Sequence, residues 1–336
     1  MAKILIIRFS SIGDIVLASP VFRCVKKQLP DAEVHLLTKE DFKIVTLHNP
    51  YIDKFFYYKN NLDEIIVELM LEEYDVVIDL HNNIRSNKVK RSLDKQSYTI
   101  NKLSFQKLML TKFKVNLMSQ EQHITQRSLQ TVSKLGVKDD GAGLDYFITP
   151  SDEVSLQDIP APHQLGFIAI VIGANHNTKK MPIPKLQELC AKINYPIILL
   201  GGKNEYAAGD AIASVDSVKI YNSCGKFTLN ESADMIKKSK LVVSHDTGLQ
   251  YVACAFQKPL FAIWGGTSPK LAVEPYYGSS FRNQSSIPLY ENISLNLWCQ
   301  PCSKYGGKRC PLGHFKCMNN HDIDGLVKKV HSRLGK

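Results

Sequence analysis

The sequence predicts an α/β protein built from two similar halves, each a parallel sheet alternating with helices. Three observations lead there. Short β-branched or aliphatic runs precede amphipathic segments along the whole chain. Many of these runs end in Gly-containing, hydroxyl-rich turns, as strand-to-helix junctions do. At 336 residues the chain also exceeds what one ordinary core holds. The domains expected are 1–155 and 156–336, with the last helix free to pack back on the first. Loops at the strand carboxyl ends of both halves imply a cleft between them, where open α/β sheets take their ligands.

In the first half, Ile4 to Ile7 is a strand and Ile15 to Gln28 an apolar-striped helix that Pro30 stops. Alternation continues with strands at Val34–Thr38, Phe55–Tyr57 and Asp75–Asp79 and helices near Lys39–Leu47 and Leu62–Leu71. A helix from about Gln122 ends at Gly136, and the Gly- and Pro-bearing stretch 139–165 reads as the interdomain connection. The second half restarts with strands at Phe167–Ile172, Ile197–Leu200, Val218–Tyr221, Leu241–Val243 and Pro259–Trp264. Helices begin at Pro184, after Glu205, at Leu229 behind a Thr228 cap, and at Leu249; a last one spans about Asp322–Leu334.

Hydrophobic content of 44% and charged content of 22% are those of a globular protein and exclude extensive disorder. The opening run is cut off by Arg8, too early for a secretion signal. No apolar run nears the ~18 residues of a membrane span, so the expected compartment is the cytoplasm. A net charge of +10, from 42 Lys and Arg against 32 Asp and Glu, favours an acidic partner: nucleic acid, anionic lipid or a phosphorylated substrate.

Two consecutive junctions concentrate the chemistry. Ser244, His245, Asp246, Thr247 and Gly248 end one buried strand, and Gly265, Gly266, Thr267, Ser268 and Pro269 end the next. Exposed N–H groups at a helix start, with the positive dipole end behind them, suit a nucleoside diphosphate. Asp246 would repel phosphate, so it either caps its helix or faces sugar hydroxyls. Asp14, in the first turn of the first helix, is similarly either a helix-start charge or a general base above the strand ends. His81 and Arg85 stand at another strand end, placed for acceptor contact. From Arg85 to Lys114, nine cations face one acid, Asp94, with Leu103, Phe105, Leu108, Met109, Leu110 and Phe113 between them. Such a segment is either a solvated face or a surface for anionic lipid or a phosphorylated amphiphile. Near the end, Cys299 and Cys302 form a C-x2-C pair with Cys310, His314 and Cys317 downstream. Ordinary thiols, a disulfide and a structural metal all remain open for that set.

Several of these motifs together resemble one family. Lys3 to Pro20 with Ser10, Ser11, Ile12, Gly13 and Asp14, the loop of Lys179 and Pro182, the Asp246-Thr247-Gly248 and Gly265 to Pro269 turns, and the Cys-bearing tail are similar to the lipopolysaccharide heptosyltransferases of glycosyltransferase family nine. The resemblance implies a GT-B fold, two Rossmann-like domains across a cleft, with acceptor mainly on the first and nucleotide sugar mainly on the second. It implies an inverting transferase with no catalytic metal and no cofactor. Asp14 would deprotonate the acceptor hydroxyl, with Ser11, His81 and Arg85 on the acceptor. Lys179 would neutralise the diphosphate beside Asn175, and Thr247 and Gly248 would bind it. Asp246 would take heptose hydroxyls, Glu205 the ribose, and Phe227 would border the adenine. Tyr251, also on the donor side, stands where the family often has His, and Gly266 where it often has Pro.

The reading so reached is transfer of heptose from an ADP-sugar to a phosphorylated lipid A or inner-core acceptor, with peripheral contact to the inner membrane surface and no nucleic acid. The alternatives are another nucleotide sugar or surface glycan on the same fold, and, from another class, a zinc-stabilised nucleic-acid-binding protein. The last leaves both Gly-bearing junctions unused.

Overall fold

The computed structural model describes residues 2–119, 122–282 and 288–335. Contacts divide the chain into two compact units. One comprises Met1–Leu103, Ser119–Phe147 and Tyr276–Gln284; the other comprises Ser104–Met118, Ile148–Pro275 and Ser285–Lys336. No described helix is long and apolar enough to cross a membrane.

The first unit holds five parallel strands: β1 (Lys3–Ile7), β2 (Glu33–Lys39), β3 (Lys54–Tyr58), β4 (Val76–Asp79) and β5 (Gln96–Thr99). Their order is β3-β2-β1-β4-β5. The chain thus winds outward from β1 and then crosses to β4, which reverses direction of winding between β1 and β4, where Ile7 lies opposite Asp79. Alternation along β1 serves two layers, as a strand's period of two requires. Ile4 and Ile6 pack with Val21, Phe22 and Val25, while Leu5 and Ile7 pack with Leu69 and Val89.

The helix Ile12–Gln28 follows β1 and carries Asp14 at its start. Its other end is fixed by Arg23, 2% exposed. Arg23 donates from Nε and Nη2 to Asp140 at 2.7 and 2.8 Å, from Nη2 to the Gly143 carbonyl at 2.8 Å, and from Nη1 to Asp145. The same loop receives the return of the chain at 276. Gly143 and Gly278 both have φ +82°, and a Cβ on Gly278 would sit 2.2 Å from the Gly141 carbonyl. Only glycine combines that backbone with that approach.

The second unit holds six parallel strands: β6 (Ile168–Val171), β7 (Ile197–Leu200), β8 (Ile220–Asn222), β9 (Leu241–His245), β10 (Leu260–Ile263) and β11 (Tyr290–Ile293). The order β11-β10-β9-β6-β7-β8 places its winding reversal between β6 and β9. The last helix, Ile323–Arg333, packs within the second unit. Its Ile323, Leu326, Val327 and Val330 are buried in this unit's own core with Leu186, Leu189 and Ile193.

Two strands were not anticipated, β5 and β11. Both are four-residue sheet edges of polar sequence, QSYT and YENI, without the apolar run that marks a buried strand. The expected helix over Lys39–Leu47 is two short turns, Glu40–Phe42 and Lys43–Thr46. The basic segment resolves into the helix Ile84–Leu93, β5, and the turns Ser104–Leu108 and Met109–Phe113.

Arg23→Met should destabilise the first unit by about 3 kcal/mol, because it strands partly buried carboxylates. Thermal unfolding checks this. The hydrogen bond from Arg23 holds Asp140 at a pKa of about 2. Its share of stability is therefore full above the ordinary carboxylate value and lost as pH falls toward 2 in the wild type, and the variant should lack that acid dependence.

Candidate active site

At the β1/β4 reversal the chain leaves β1 through Arg8, which is 7% exposed. Arg8 donates from Nη1 to the Leu80 carbonyl after β4, and its Nη2 lies 2.6 Å from Asp14 Oδ1. The other oxygen of Asp14 accepts from Ser11 N at 3.1 Å and Ser11 Oγ at 2.9 Å. Of the two expectations for Asp14 the geometry shows the helix-start charge: one oxygen closes the helix start, and the other faces Arg8. Desolvation pushes the Asp14 pKa up, but the Arg8 guanidinium and the two Ser11 donors outweigh it, and the carboxyl stays below its ordinary 3.8. It is ionised at neutral pH, and its side chain is 40% exposed, so a substrate hydroxyl can reach it.

His81 follows Leu80. Its ring meets Phe9 edge-on at 5.0 Å, and its backbone N–H donates to Asp79. Burial, with Arg8 and Lys102 adding repulsion, lowers its pKa to about 4, so it is a neutral imidazole at physiological pH. Its buried Nδ1 has no hydrogen-bond partner among the described residues. Arg85 is exposed and stacks over the Phe9 ring at 5.6 Å.

Three cations that the sequence did not single out belong to this place. Arg8 is one. Lys102 has its pKa lowered by burial and by Arg8. Arg127, 4% exposed, is lowered to about 10 by the same two causes. Arg127 Nε donates to the Gln122 carbonyl at 2.8 Å, while Nη2, like Arg8 Nε, has no partner among the described residues. Arg8 ends a buried strand, which is a readable sign. Arg127 sits on a helix in which nothing local marks its burial.

The second unit's reversal gathers the donor-side candidates. Lys179 Nζ lies 2.8 Å from Asp246 Oδ2, and Thr267 Oγ1 donates to the same oxygen at 2.7 Å. Asp246 is 7% exposed and does not cap the next helix: the N-cap of Gly248–Ala255 is Thr247, whose side chain makes no cap bond. The Thr247 hydroxyl is thus not spent on the helix start, one residue after the Asp246 that pairs with Lys179. The Lys179 turn is held from two sides. Gly266 N donates to the Thr178 carbonyl at 2.7 Å, and Gly307 N donates to Thr178 Oγ1 at 2.8 Å. Gly266 therefore stands where a proline, lacking that N–H, could not make the bond.

Glu205, after β7, accepts from Lys180 Nζ at 2.7 Å and from Gly202 N at 3.1 Å. The β8 loop reaches it through Gly225 N, which donates to the Gly201 carbonyl at 3.0 Å, and Phe227 is half-buried on that loop. Asn175 is exposed on the loop after β6. His245 accepts from Met181 N at 3.0 Å, and burial, chiefly, lowers its pKa to about 4, which keeps it neutral and able to accept. Tyr251 is 5% exposed, and its hydroxyl donates to the Val273 carbonyl at 2.6 Å. All eight cysteines are free thiols, so the tail forms no disulfide. Within the tail, Cys299 Sγ lies 3.9 Å from His314 Nε2, and burial pushes the Cys317 thiol up to about 12, reinforced by Cys302, Cys310 and Cys299.

Two parallel Rossmann-like sheets with their polar groups at the winding reversals define the GT-B class of glycosyltransferases. Solved structures agree on the fold. An Escherichia coli ADP-heptose lipopolysaccharide heptosyltransferase II aligns with a TM-score of 0.72 at 16% identity, over 99% of this chain and 98% of that one. An E. coli heptosyltransferase solved with ADP aligns with a TM-score of 0.68 at 18% identity, over 98% and 99%. The model of glycosyltransferase family nine, the heptosyltransferases, matches residues 64–311, and the chain belongs to that family. A lipopolysaccharide heptosyltransferase 1 from Campylobacter coli is 27% identical over 309 residues, 83% of this chain and 86% of that protein.

Arg8→Gln should raise the Asp14 pKa, since it removes the opposite charge. With Asp14 as the base, the acid limb of the pH–rate profile should move up accordingly. An unmoved limb would mean that another group sets it.

Proposed function

We propose that this protein transfers a heptose, with inversion and without a catalytic metal, from ADP-heptose to a phosphorylated lipid A or inner-core acceptor. The observation that carries the reading is the Lys179 ammonium paired with Asp246, whose same oxygen accepts from Thr267, two residues before the helix Gly248–Ala255 begins. A departing diphosphate needs positive charge and N–H donors where its own charge grows, and this place supplies both.

The chemistry then divides between the two winding reversals. Asp14, ionised and solvent-accessible, takes the proton of the acceptor hydroxyl as that oxygen attacks the anomeric carbon. The bond from that carbon to the diphosphate oxygen breaks, and ADP leaves with the electron pair. Lys179, Thr247 and the Gly248 N–H meet the diphosphate, with Asn175 nearby. Asp246 accepts from sugar hydroxyls and keeps Lys179 placed. Glu205, oriented by Lys180, accepts from the ribose, and Phe227 borders the base. On the acceptor side, the Arg8 charge opposes those of both Lys102 and Arg127, and an acceptor phosphate or carboxylate relieves that repulsion. His81 and Arg85 flank the same ground, and Ser11 acts on Asp14 rather than on the acceptor.

Asp14→Ala should lower turnover by about 100-fold or more while ADP still binds in calorimetry. Turnover within a few-fold of wild type would remove Asp14 from the role of base. Arg127→Gln should raise the acceptor KM at least about tenfold with ADP affinity unchanged, and equal loss for both ligands would count against an acceptor anion there. ADP should bind more tightly than UDP or GDP; a preference for either of the others would change the donor.

A further inference from the structure

Two segments of the second unit lie together and share an unusual surface. Ser104 to Met118 and Ser294 to Met318 contain seven cations, Lys107, Lys112, Lys114, Lys304, Lys308, Arg309 and Lys316, and no Asp or Glu. They are tied at two points. Lys304 Nζ donates to the Ser104 carbonyl at 3.3 Å, and Lys114 Nζ donates to the carbonyls of Cys299 and Pro301 at 3.0 and 2.8 Å. Next to each tie stand large side chains turned to solvent. Phe105 is 63% exposed and Tyr305 70% at the first; Phe113 is 65% exposed and Trp298 76% at the second.

Exposed large apolar groups scattered singly need no explanation, but a run of them among like charges does. Between them in sequence, Leu110 and Cys299 are buried while these four rings stay turned to solvent. Aromatic rings rimmed by Lys and Arg match the boundary between lipid headgroups and acyl chains, where a ring enters the apolar layer and the cations remain with anionic headgroups. A soluble acidic protein would match the charge but would leave four solvent-facing rings without an apolar counterpart.

We propose that this surface, Phe105, Phe113, Trp298 and Tyr305 within their cationic rim, docks the enzyme on an anionic lipid bilayer. The inference extends the reading above, in which the acceptor is itself a lipid. It places that contact on the second unit, on residues with no part in the donor or acceptor machinery.

The test is sedimentation of the full chain with vesicles of phosphatidylcholine alone and of phosphatidylcholine with phosphatidylglycerol, at low and high salt. Binding should rise about tenfold with the anionic lipid and fall again with salt. The combined variant Phe105→Ser, Phe113→Ser, Trp298→Ser should lose at least about fivefold of the binding to anionic vesicles. Its ADP affinity and its turnover of a detergent-free, deacylated acceptor should stay those of the wild type. Indifference to the anionic lipid, or equal binding by the variant, overturns the proposal. So does a concentration-dependent dimer that the variant abolishes, since a second copy would then cover the surface. Loss of ADP binding or turnover in the wild type itself would instead strike the transferase reading, so the two failures are separable.

Discussion

The ion pair between Lys179 and Asp246 is the contact on which the second unit's chemistry rests. Asp246 reaches it from the end of β9 and Thr267 from the loop after β10, while Lys179 comes from the loop after β6. That turn is fixed by Gly266 and by Gly307 of the Cys-bearing tail. Four stretches far apart in sequence therefore set the position of one ammonium group. A flexible Lys on an open loop would lose rotamer freedom each time it met a ligand, and holding it beforehand removes much of that cost. The parallel sheet is what makes the convergence geometrically available, because all its strand ends point the same way and the winding reversal leaves a gap between two of the loops.

The first unit solves a different problem with the same architecture. The proposed base must be ionised yet reachable; Asp14 gives one oxygen to Ser11 and the other to Arg8, and its side chain stays 40% exposed. The arrangement makes it a weaker base than an unpaired carboxylate, which suits a hydroxyl that gives up its proton late in the attack. Around it, buried Arg8 and Arg127 with half-buried Lys102 gather positive charge, and two guanidinium N–H positions are without partners among the described residues. Buried donors in that state are costly in a folded protein unless a ligand completes them.

Much of this was legible in the sequence. The apolar runs located nine of the eleven strands, and turn composition located Asp14, Lys179, Asp246 and Thr247 at strand ends. Edge strands β5 and β11 were invisible because a strand covered on few sides needs no apolar code. The alternatives for Asp246 could not be separated from sequence, since a cap and an ion-pair partner look alike until the helix start is fixed at Thr247. Arg127 was missed because burial of a helical Arg depends on what packs above it, here the Asn101 and Gln122 carbonyls. The resemblance puts Tyr251 where the family often has His, and the sequence alone does not reveal that its hydroxyl reaches the Val273 carbonyl.

The most direct measurement of the central claim is a crystal structure with ADP bound. The account predicts diphosphate oxygens within hydrogen-bond distance of Lys179 Nζ and of the Thr247 and Gly248 N–H groups, and the ribose beside Glu205. ADP bound elsewhere, with the Lys179–Asp246 pair unchanged and the mouth of the helix Gly248–Ala255 in contact with water alone, would contradict it.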